Sequence, residues 1–165
     1  MAIDIRLARI DDRLIHGQVA TAWSKQMEID RILVISDEAA ENQIRKLLLK
    51  QAAPSGIRVN VISVARMHEV YQSNILQFEK VALLFTSPQD VEVLVRQGME
   101  LSSINIGGMS FSSDKKMLTN FISVDENDIA SFIYLSEQGI ELEIRKVPAD
   151  HKQNLVELLK KQNFL

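Results

Sequence analysis

One stretch of the sequence decides the fold class: RILVISDEAAENQIRKLLLKQ, residues 31–51. It opens with a continuous apolar run, Arg31–Ser36, of the kind that a strand buried on both faces requires. The following part, Glu38–Gln51, has the periodicity of a helix, with Asp37 as its N-cap. Apolar positions that recur on one side of this helix predict its inner face: Ile44, Leu47 and Leu48. A buried strand that leads into an amphipathic helix is the building unit of parallel α/β sheets.

The same unit recurs along the chain. Short apolar runs predict seven strands: Ile3–Ile10, Arg31–Ser36, Arg58–Ser63, Lys80–Phe85, Ser103–Ile106, Phe121–Val124 and Leu142–Val147. Helical segments separate them, including one capped by Asp125 that ends near Glu137, and Asn154–Lys161 closes the chain as an amphipathic helix. Strands that alternate with helices form right-handed βαβ units. The sequence therefore predicts a three-layer α/β/α fold with a mainly parallel sheet of about six to seven strands, covered on both faces.

Composition narrows the class of protein. The 165 residues have the length of a single domain, with 46% hydrophobic and 25% charged residues. The absence of cysteine from the sequence excludes disulfides and thiolate metal sites, and a net charge of −3 argues against a nucleic-acid partner. No apolar run has the length of a membrane span, and Met1–Ile10 is too short and too charged for a secretory signal. These features favour a cytoplasmic protein without direct insertion into a membrane.

The residues with the strongest chemical character lie in the connection after the first predicted strand, Arg9–Gln18. Ligands of parallel α/β sheets bind at the carboxyl ends of the strands, near the point where the strand order reverses. This connection holds two arginines, two aspartates and a histidine, a combination that turning the chain does not require. His16 and Gly17 stand where the first helix begins, so free backbone N–H groups and the positive end of the helix dipole favour an anion there.

A loop of this composition suits a phosphoryl group. Gly17 lacks a Cβ that would hinder close approach to the backbone, and the planar guanidinium of Arg13 can hold two phosphoryl oxygens. An aspartate can bind one imidazole nitrogen of His16, which fixes the tautomer and leaves the other nitrogen as a nucleophile. Asp11 and Asp12 are both candidates for this task. Either one can instead pair with a neighbouring arginine to hold the loop.

Other motifs are less informative. His68 falls in a predicted helix and His151 near the last one, and both are expected to be solvated. The sequence has no glycine motif of nucleotide-binding proteins, no paired-histidine metal motif and no hydrolase nucleophile elbow. A phosphorylated receiver domain also has acidic residues after its first strand. It needs an aspartate after the third strand and a lysine after the fifth, where this chain has Ser63 and Gly107-Gly108.

The segment ARIDDRLIHGQVATAW, residues 8–23, closely resembles the phosphorylation-site loop of one protein family. The family is the IIB proteins of the bacterial sugar phosphotransferase system, in the mannose–fructose–sorbose group. The stretch NIGGM, Asn105–Met109, looks like a signature of the same group, and GIELEIR, Gly139–Arg145, is a further match. The resemblance covers essentially the whole chain, so residues 1–165 are expected to form one IIB domain of this type.

The resemblance implies a phosphocarrier, which is a transferase. A phosphorylated IIA protein would pass its phosphoryl group to Nδ1 of His16, and His16 would pass it to a hexose held by the membrane proteins IIC and IID. Arg13 would steady the phosphoryl group and Asp11 would organise the loop. No metal or organic cofactor is expected, and the protein would work in the cytoplasm at the periphery of the membrane complex. Phosphoryl or partner contacts are expected from further residues at this edge: Arg9, Gly17, Gln18, Phe85, Thr86, Ser87, Gly107 and Gly108.

Two functions from other classes remain alternatives. A regulatory binding module on the same fold would have no need of a nucleophile, and it should have lost His16 or Arg13, which are both present. A protein that binds an anion without turnover suits the helix start but leaves His16 unexplained. The phosphocarrier is the function that uses all of these residues.

Overall fold

The computed structural model describes residues 3–165, which contain one large sheet and one small one. The large sheet has seven strands in the order β3-β2-β4-β1-β5-β8-β9, and the small one pairs β6 with β7. All neighbours in the large sheet are parallel except β9, which is antiparallel to β8. In chain order, the strands are β1 (Asp4–Asp11), β2 (Arg31–Ile35), β3 (Arg58–Ile62), β4 (Lys80–Phe85), β5 (Ser103–Gly108), β6 (Lys116–Thr119), β7 (Ile122–Val124), β8 (Glu141–Ile144) and β9 (Gln153–Asn154).

Helices cover both faces of the large sheet. In chain order, they are α1 (Gly17–Met27), α2 (Asp37–Glu41), α3 (Gln43–Gln51), α4 (Val64–Gln72), α5 (Pro88–Arg96), α6 (Glu126–Glu137) and α7 (Leu155–Lys161). Helices α1, α2 and α3 pack on one face and α4 to α7 on the other, so the predicted three-layer α/β/α fold is confirmed. No helix within residues 3–165 is long and apolar enough to cross a membrane.

Burial on both faces explains the continuous apolar runs. In β2, Leu33 and Ile35 belong to the core under α4 to α7, whereas Ile32 and Val34 belong to the core under α1 to α3. Each of these four side chains is at most 3% exposed. Burying one such side chain contributes about 1.5–3 kcal/mol to the free energy of unfolding. Both cores therefore hold the central strands in place.

The segment after β2 differs from its prediction. Two short helices replace the single one, because Ser36 caps α2 and Asn42, in an extended backbone conformation, caps α3 through the N–H of Arg45. The break restarts the helical phase, so that Leu49 packs inward. The predicted inner face is instead exposed, at 73% for Ile44 and 57% for both Leu47 and Leu48. The predicted N-cap, Asp37, lies inside α2 and accepts a hydrogen bond from the Val64 N–H at 2.9 Å.

The strand predicted over 121–124 is real but does not join the large sheet. Its observed form, β7, pairs antiparallel with β6, which the sequence did not reveal. Strand β9, of two residues, was missed as well and takes the outer edge beside β8. The helix predicted after Asp125 is confirmed as α6, and the Asp125 and Asp128 side chains form a reciprocal capping box.

The strand order brings three connections to one edge. Strand β1 lies between β4 and β5, with Ile10 opposite Phe85 on one side and Ile106 on the other. All three strands are parallel, so their carboxyl ends meet. The loop before α1, the turn at Thr86 and the end of β5 are therefore neighbours, as the sequence predicted.

Candidate functional site

A tight turn carries the chain from β1 to α1. The Leu14 N–H donates to the Asp11 carbonyl oxygen at 2.9 Å, and Leu14 has a left-handed backbone with φ of +60°. The buried side chains of Leu14 and Ile15 anchor the turn to the core, which offsets the strain of that conformation. His16 then becomes the N-cap of α1, and Gly17 begins the helix at φ of +46°, a value that favours glycine.

The Asp11 carboxylate is the centre of the site. It is 1% exposed and accepts from three side chains and one backbone group. Oδ2 accepts from Arg9 Nη2 at 3.0 Å, from Arg13 Nη2 at 3.1 Å and from His16 Nε2 at 3.1 Å. Oδ1 accepts from the Nε and the backbone N–H of Arg13, each at 3.1 Å. Asp11 is therefore the aspartate that holds His16, which settles the choice between the two candidates.

The contact between Asp11 and His16 determines where the imidazole proton lies. An ionised carboxylate only accepts hydrogen bonds, so His16 must donate from Nε2. In the neutral ring the other nitrogen, Nδ1, then carries the free lone pair. The His16 side chain is 25% exposed, which leaves part of the ring accessible from outside.

The charges around Asp11 keep it ionised. Burial alone would raise the pKa of Asp11, but hydrogen bonds from Arg13 and His16, together with the charge of Arg9, outweigh burial and lower the pKa. Burial lowers the pKa of Arg9, against the opposing effect of Asp11. An arginine with a lowered pKa still remains protonated at neutral pH. The site thus has an anion between two cations, with His16 at its outer side.

Two groups near His16 are free to meet an anion. Arg13 uses Nε and Nη2 on Asp11, its side chain is 45% exposed, and Nη1 has no hydrogen-bond partner within residues 3–165. The start of α1 has no capping side chain, unlike every other helix in the described part of the chain. The remaining helices are capped by Ser36, Asn42, Ser63, Ser87, Asp125 and Asn154. Uncapped N–H groups at a helix start suit a phosphoryl group.

Arg9 and Phe85 lie inside the protein rather than at its surface. Arg9 is 3% exposed, donates to Asp11, to the Asn105 side chain and to the Arg145 carbonyl oxygen, and has no route to an incoming phosphoryl group. Phe85 is fully buried in the core under α4 to α7. Direct contact with a phosphoryl group or a partner, which the sequence suggested for both, is therefore corrected to a supporting role.

The two glycines at the end of β5 make room for the charged side chains. A Cβ on Gly107 would overlap the Arg9 guanidinium, and a Cβ on Gly108 would lie 3.1 Å from both Arg13 Nη2 and Asp11 Oδ1. These glycines admit the arginines rather than forming a phosphate-binding loop.

The Gly107→Ala substitution is expected to lower the free energy of unfolding by about 1–3 kcal/mol, the cost of overpacking a filled interior. The cause is displacement of the Arg9 guanidinium, which is buried and would lose hydrogen bonds to Asp11 and Asn105 if it moved. Equilibrium urea unfolding measures the change. Gly108→Ala is the matched comparison, because its Cβ would approach its nearest neighbours less closely, at 3.1 Å, and it should cost less. Equal stability of Gly107→Ala and the wild type would contradict this packing.

The remaining sequence-predicted residues lie around the site. Gln18 is exposed on the first turn of α1. Thr86 lines two clefts, of about 430 and 340 Å³, that both reach Asp12, and Ser87 lines the larger of them and caps α5. Asp12 does not touch His16 but accepts from the backbone N–H and the hydroxyl of Ser110 at 2.7 and 2.9 Å, so it ties the first loop to the chain beyond β5.

The far side of the smaller cleft is acidic. Burial, and to a lesser extent the charge of Asp37, raises the pKa of Asp90 to about 6. Arg13 has a guanidinium nitrogen without a hydrogen-bond partner among residues 3–165, so an anion is expected beside Arg13 rather than beside Asp90. No cluster of three or more histidine, aspartate or glutamate side chains within residues 3–165 is arranged to hold a metal ion. His68 lies on α4, under the opposite face of the sheet from α1, and His151 is exposed.

Sequence reasoning assigned no role to a group of residues next to the site. Trp23 lies against the guanidinium carbons of Arg9 and Arg145, at 5.5 and 5.0 Å from its ring centroid, and its Nε1–H donates to the Lys146 carbonyl oxygen at 2.9 Å. Asn105 and Glu143 are buried polar residues, each between two buried apolar residues of its strand. In the sequence, each of the two is a polar residue between two isoleucine or leucine residues. This pattern could have identified both of them.

Comparisons with known proteins agree on one family. The family model described as PTS system sorbose subfamily IIB component matches residues 5–165. The chain is 43% identical to the sorbose-specific EIIB component of Klebsiella pneumoniae over 162 residues, which cover 98% of this chain and 99% of that protein. The crystal structure of the IIBSor domain of the K. pneumoniae sorbose permease superposes with a TM-score of 0.95, over 99% of this chain and 100% of that one.

A longer relative is similar over part of its length. The mannose-specific EIIAB component of Escherichia coli (strain K12) is 51% identical over 157 residues, which are 95% of this chain and 49% of that protein. The chain thus spans about half the length of the mannose-specific relative that it matches. A fructose-specific EIIB component of Bacillus subtilis (strain 168) is 39% identical and is covered over 97% of its length.

Proposed function

Because the chain belongs to the sorbose subfamily of IIB components of the sugar phosphotransferase system, a family of phosphotransferases, we propose that it carries the phosphoryl group on Nδ1 of His16. The observation that carries the proposal is the hydrogen bond between His16 Nε2 and Asp11 Oδ2 at 3.1 Å. It holds the proton on Nε2, and Nδ1 is left as the nucleophile. The partly exposed ring stands at the uncapped start of α1, where negative charge is favoured.

The transfer has two steps. In the first, the Nδ1 lone pair attacks phosphorus, the Nδ1–P bond forms, and the bond to the donor breaks with its electron pair leaving on the donor atom. In the second, a sugar hydroxyl oxygen attacks phosphorus, the Nδ1–P bond breaks and its electron pair returns to Nδ1, and the hydroxyl proton passes to water or to a base at the site of the acceptor. Positioning and charge stabilisation supply most of the catalysis in such transfers. Asp11 holds the Nε2 proton throughout and stabilises the ring as Nδ1 bonds to phosphorus.

Arg13 is positioned to stabilise the transferring oxygens. Asp11 binds Nε and Nη2 and so orients the guanidinium before a phosphoryl group arrives. The N–H groups of Nη1 remain available to donate to phosphoryl oxygens. Orientation by Asp11 lowers the entropy cost of placing the cation on the phosphoryl group. The charge matters most in the transition state, where negative charge accumulates on the equatorial oxygens.

The Arg13→Ala substitution is expected to slow phosphoryl transfer to His16 by roughly 10²–10³-fold, the scale for the loss of one charge-stabilising donor. Rapid-quench measurement of transfer from a phosphorylated IIA protein gives the rate. Arg6→Ala is the matched control, because Arg6 pairs with Asp4 near the other end of β1 and should leave the rate unchanged. A normal rate for Arg13→Ala would remove Arg13 from the mechanism.

Membership of this family supports an inference about the partners and the substrate. We infer a phosphorylated IIA protein as donor, the membrane proteins IIC and IID as the site of the acceptor, and a hexose as the final acceptor, on the cytoplasmic side of the membrane. The names of the relatives include mannose, sorbose, fructose and N-acetylgalactosamine, which supports a hexose or hexosamine. Residues 1–165 are proposed to act as one IIB domain.

The direct test is transfer of labelled phosphate from phosphoenolpyruvate through the general phosphotransferase proteins and a IIA protein to the purified chain. We expect the label to be removed by acid and to survive base, because the P–N bond of phosphohistidine is labile in acid and stable in base. A chain that takes no label from a IIA protein shown to be charged would contradict the proposal.

A further inference from the structure

A row of buried polar residues crosses three neighbouring strands beside the site. Arg9 of β1 stands opposite Asn105 of β5, and Asn105 stands opposite Glu143 of β8. Their exposures are 3%, 2% and 3%, and most of the other buried residues in these strands are apolar. Buried polar groups of this kind are costly unless each of them is hydrogen-bonded. Each one in this row is.

The hydrogen bonds of the row have one direction. Both oxygens of Glu143 accept hydrogen bonds from Arg145, Oε2 from Nε and Oε1 from Nη2, each at 2.9 Å. Asn105 therefore turns its Nδ2 group toward Glu143 Oε1, at 3.2 Å, and toward the Arg145 carbonyl oxygen, at 3.1 Å. This orientation leaves the Asn105 Oδ1 atom facing Arg9, which can only donate. Glu143, together with the Arg145 carbonyl oxygen, thus fixes which end of the Asn105 amide meets Arg9.

The row continues into the site through Arg9. Arg9 Nη1 donates to Asn105 Oδ1 and to the Arg145 carbonyl oxygen, while Nη2 donates to Asp11 Oδ2 at 3.0 Å. The same carboxylate oxygen accepts from His16 Nε2. The guanidinium lies so close to Gly107 that a Cβ there would overlap it. The position of the oxygen that orients His16 is therefore connected to Glu143 by an unbroken series of hydrogen bonds.

We propose that Asn105 and Glu143 are positioning residues for His16: Glu143 fixes the Asn105 amide, Asn105 holds Arg9, and Arg9 holds the Asp11 oxygen that keeps the imidazole proton on Nε2. The proposal rests on the proposed function where it concerns phosphoryl transfer, but its claim about the tautomer stands on the hydrogen bonds alone. Neither residue touches the reacting atoms, so both act through others.

The Glu143→Gln substitution tests the proposal with a small change in shape. A glutamine has one acceptor oxygen and cannot accept at both positions, so either Arg145 or Asn105 meets an NH2 group. If Asn105 turns, its NH2 group faces Arg9 and pushes the guanidinium away from its place on Asp11. We expect a measurable fraction of His16 to hold its proton on Nδ1, and transfer to His16 to slow by about 10-fold, the lower end of the scale for lost outer partners of an active histidine.

The readout is the ¹⁵N chemical shift of the His16 ring nitrogens in histidine-labelled protein, followed over pH, together with the rate of transfer from phosphorylated IIA. Glu141→Gln is the matched control: Glu141 lies two residues earlier on the same face of β8, but it is exposed and pairs with Ser103 and Lys152 outside the row. It should leave both the tautomer and the rate as in the wild type. A purely structural role for Glu143 would lower the unfolding temperature without changing the tautomer of the folded protein.

The outcomes separate this inference from the proposed function. A tautomer shift in Glu143→Gln but not in Glu141→Gln supports the inference, even if the wild type takes no phosphoryl group, a result that would refute the proposed function alone. Folded Glu143→Gln with the wild-type tautomer and transfer rate would overturn the inference. If Glu143→Gln does not fold, Asn105→Ala is the second variant to test. The same tautomer shift is expected, because Arg9 loses its acceptor, the Asn105 Oδ1 atom.

Discussion

Replacing His16 with alanine is expected to abolish phosphoryl transfer to the chain. The fold should be unaffected, because the His16 side chain makes no capping bond to α1 and is partly exposed. The loss follows from removal of the imidazole that lies beside Asp11 and the start of α1. Labelling from phosphoenolpyruvate through a IIA protein measures it.

Two matched controls come from the same chain. His68→Ala and His151→Ala remove the other histidines, on α4 and on the exposed connection after β8, and both variants should take label as the wild type does. They also exclude a general effect of losing a histidine. A labelled His16→Ala protein would refute the assignment of the site, and loss of label in His68→Ala would move it to α4.

The Asp11→Asn substitution is expected to slow transfer by about 10³–10⁴-fold, the scale known for an asparagine in place of the aspartate that orients a catalytic histidine. The Asp11 carboxylate accepts at both oxygens from donors only: Arg9, Arg13 and His16. An asparagine at position 11 places its NH2 group against one of these donors. If that group faces His16, Nε2 becomes an acceptor and the ring proton moves to Nδ1, which blocks the nucleophile.

Single-turnover transfer from phosphorylated IIA measures the effect of Asp11→Asn. Asp12→Asn is the control one residue away, because Asp12 binds Ser110 and not His16, so its effect should be far smaller. The two arginines also lose their anionic partner in Asp11→Asn, so the stability of the variant is measured in parallel. A folded Asp11→Asn protein that transfers at about the wild-type rate would exclude orientation of His16 by Asp11.

Local sequence patterns predicted most of the fold. Apolar runs such as Lys80–Phe85 gave strands that the structure confirms, because strands buried on both faces have a composition that no surface segment shares. The patterns failed where one capping residue competed with helical periodicity, as at Asn42. They also failed for β6 and β9, which are short and depend on a partner strand elsewhere in the chain. Such pairing is not encoded in a window of neighbouring residues.

The residues around His16 could be predicted from the sequence, but the buried residues that hold them in place could not. His16, Arg13 and Asp11 lie in one short segment, so their chemistry is visible together in the sequence. Asn105 meets Arg9 because β5 pairs with β1, and Glu143 meets Asn105 because β8 pairs with β5, at separations of 96 and 38 residues along the chain. Burial was equally hidden: the two arginines of the loop look alike in sequence, although one is interior and the other 45% exposed.

The measurement that tests the central claim most directly is the ¹⁵N–³¹P coupling in histidine-labelled protein phosphorylated by a IIA protein. It identifies both the residue and the ring nitrogen that holds the phosphoryl group. The hydrogen bond from His16 Nε2 to Asp11 predicts a coupling to Nδ1 of His16 and to no other histidine nitrogen. A phosphoryl group on Nε2 of His16, or on another histidine, would contradict the claim that Asp11 prepares Nδ1 as the nucleophile.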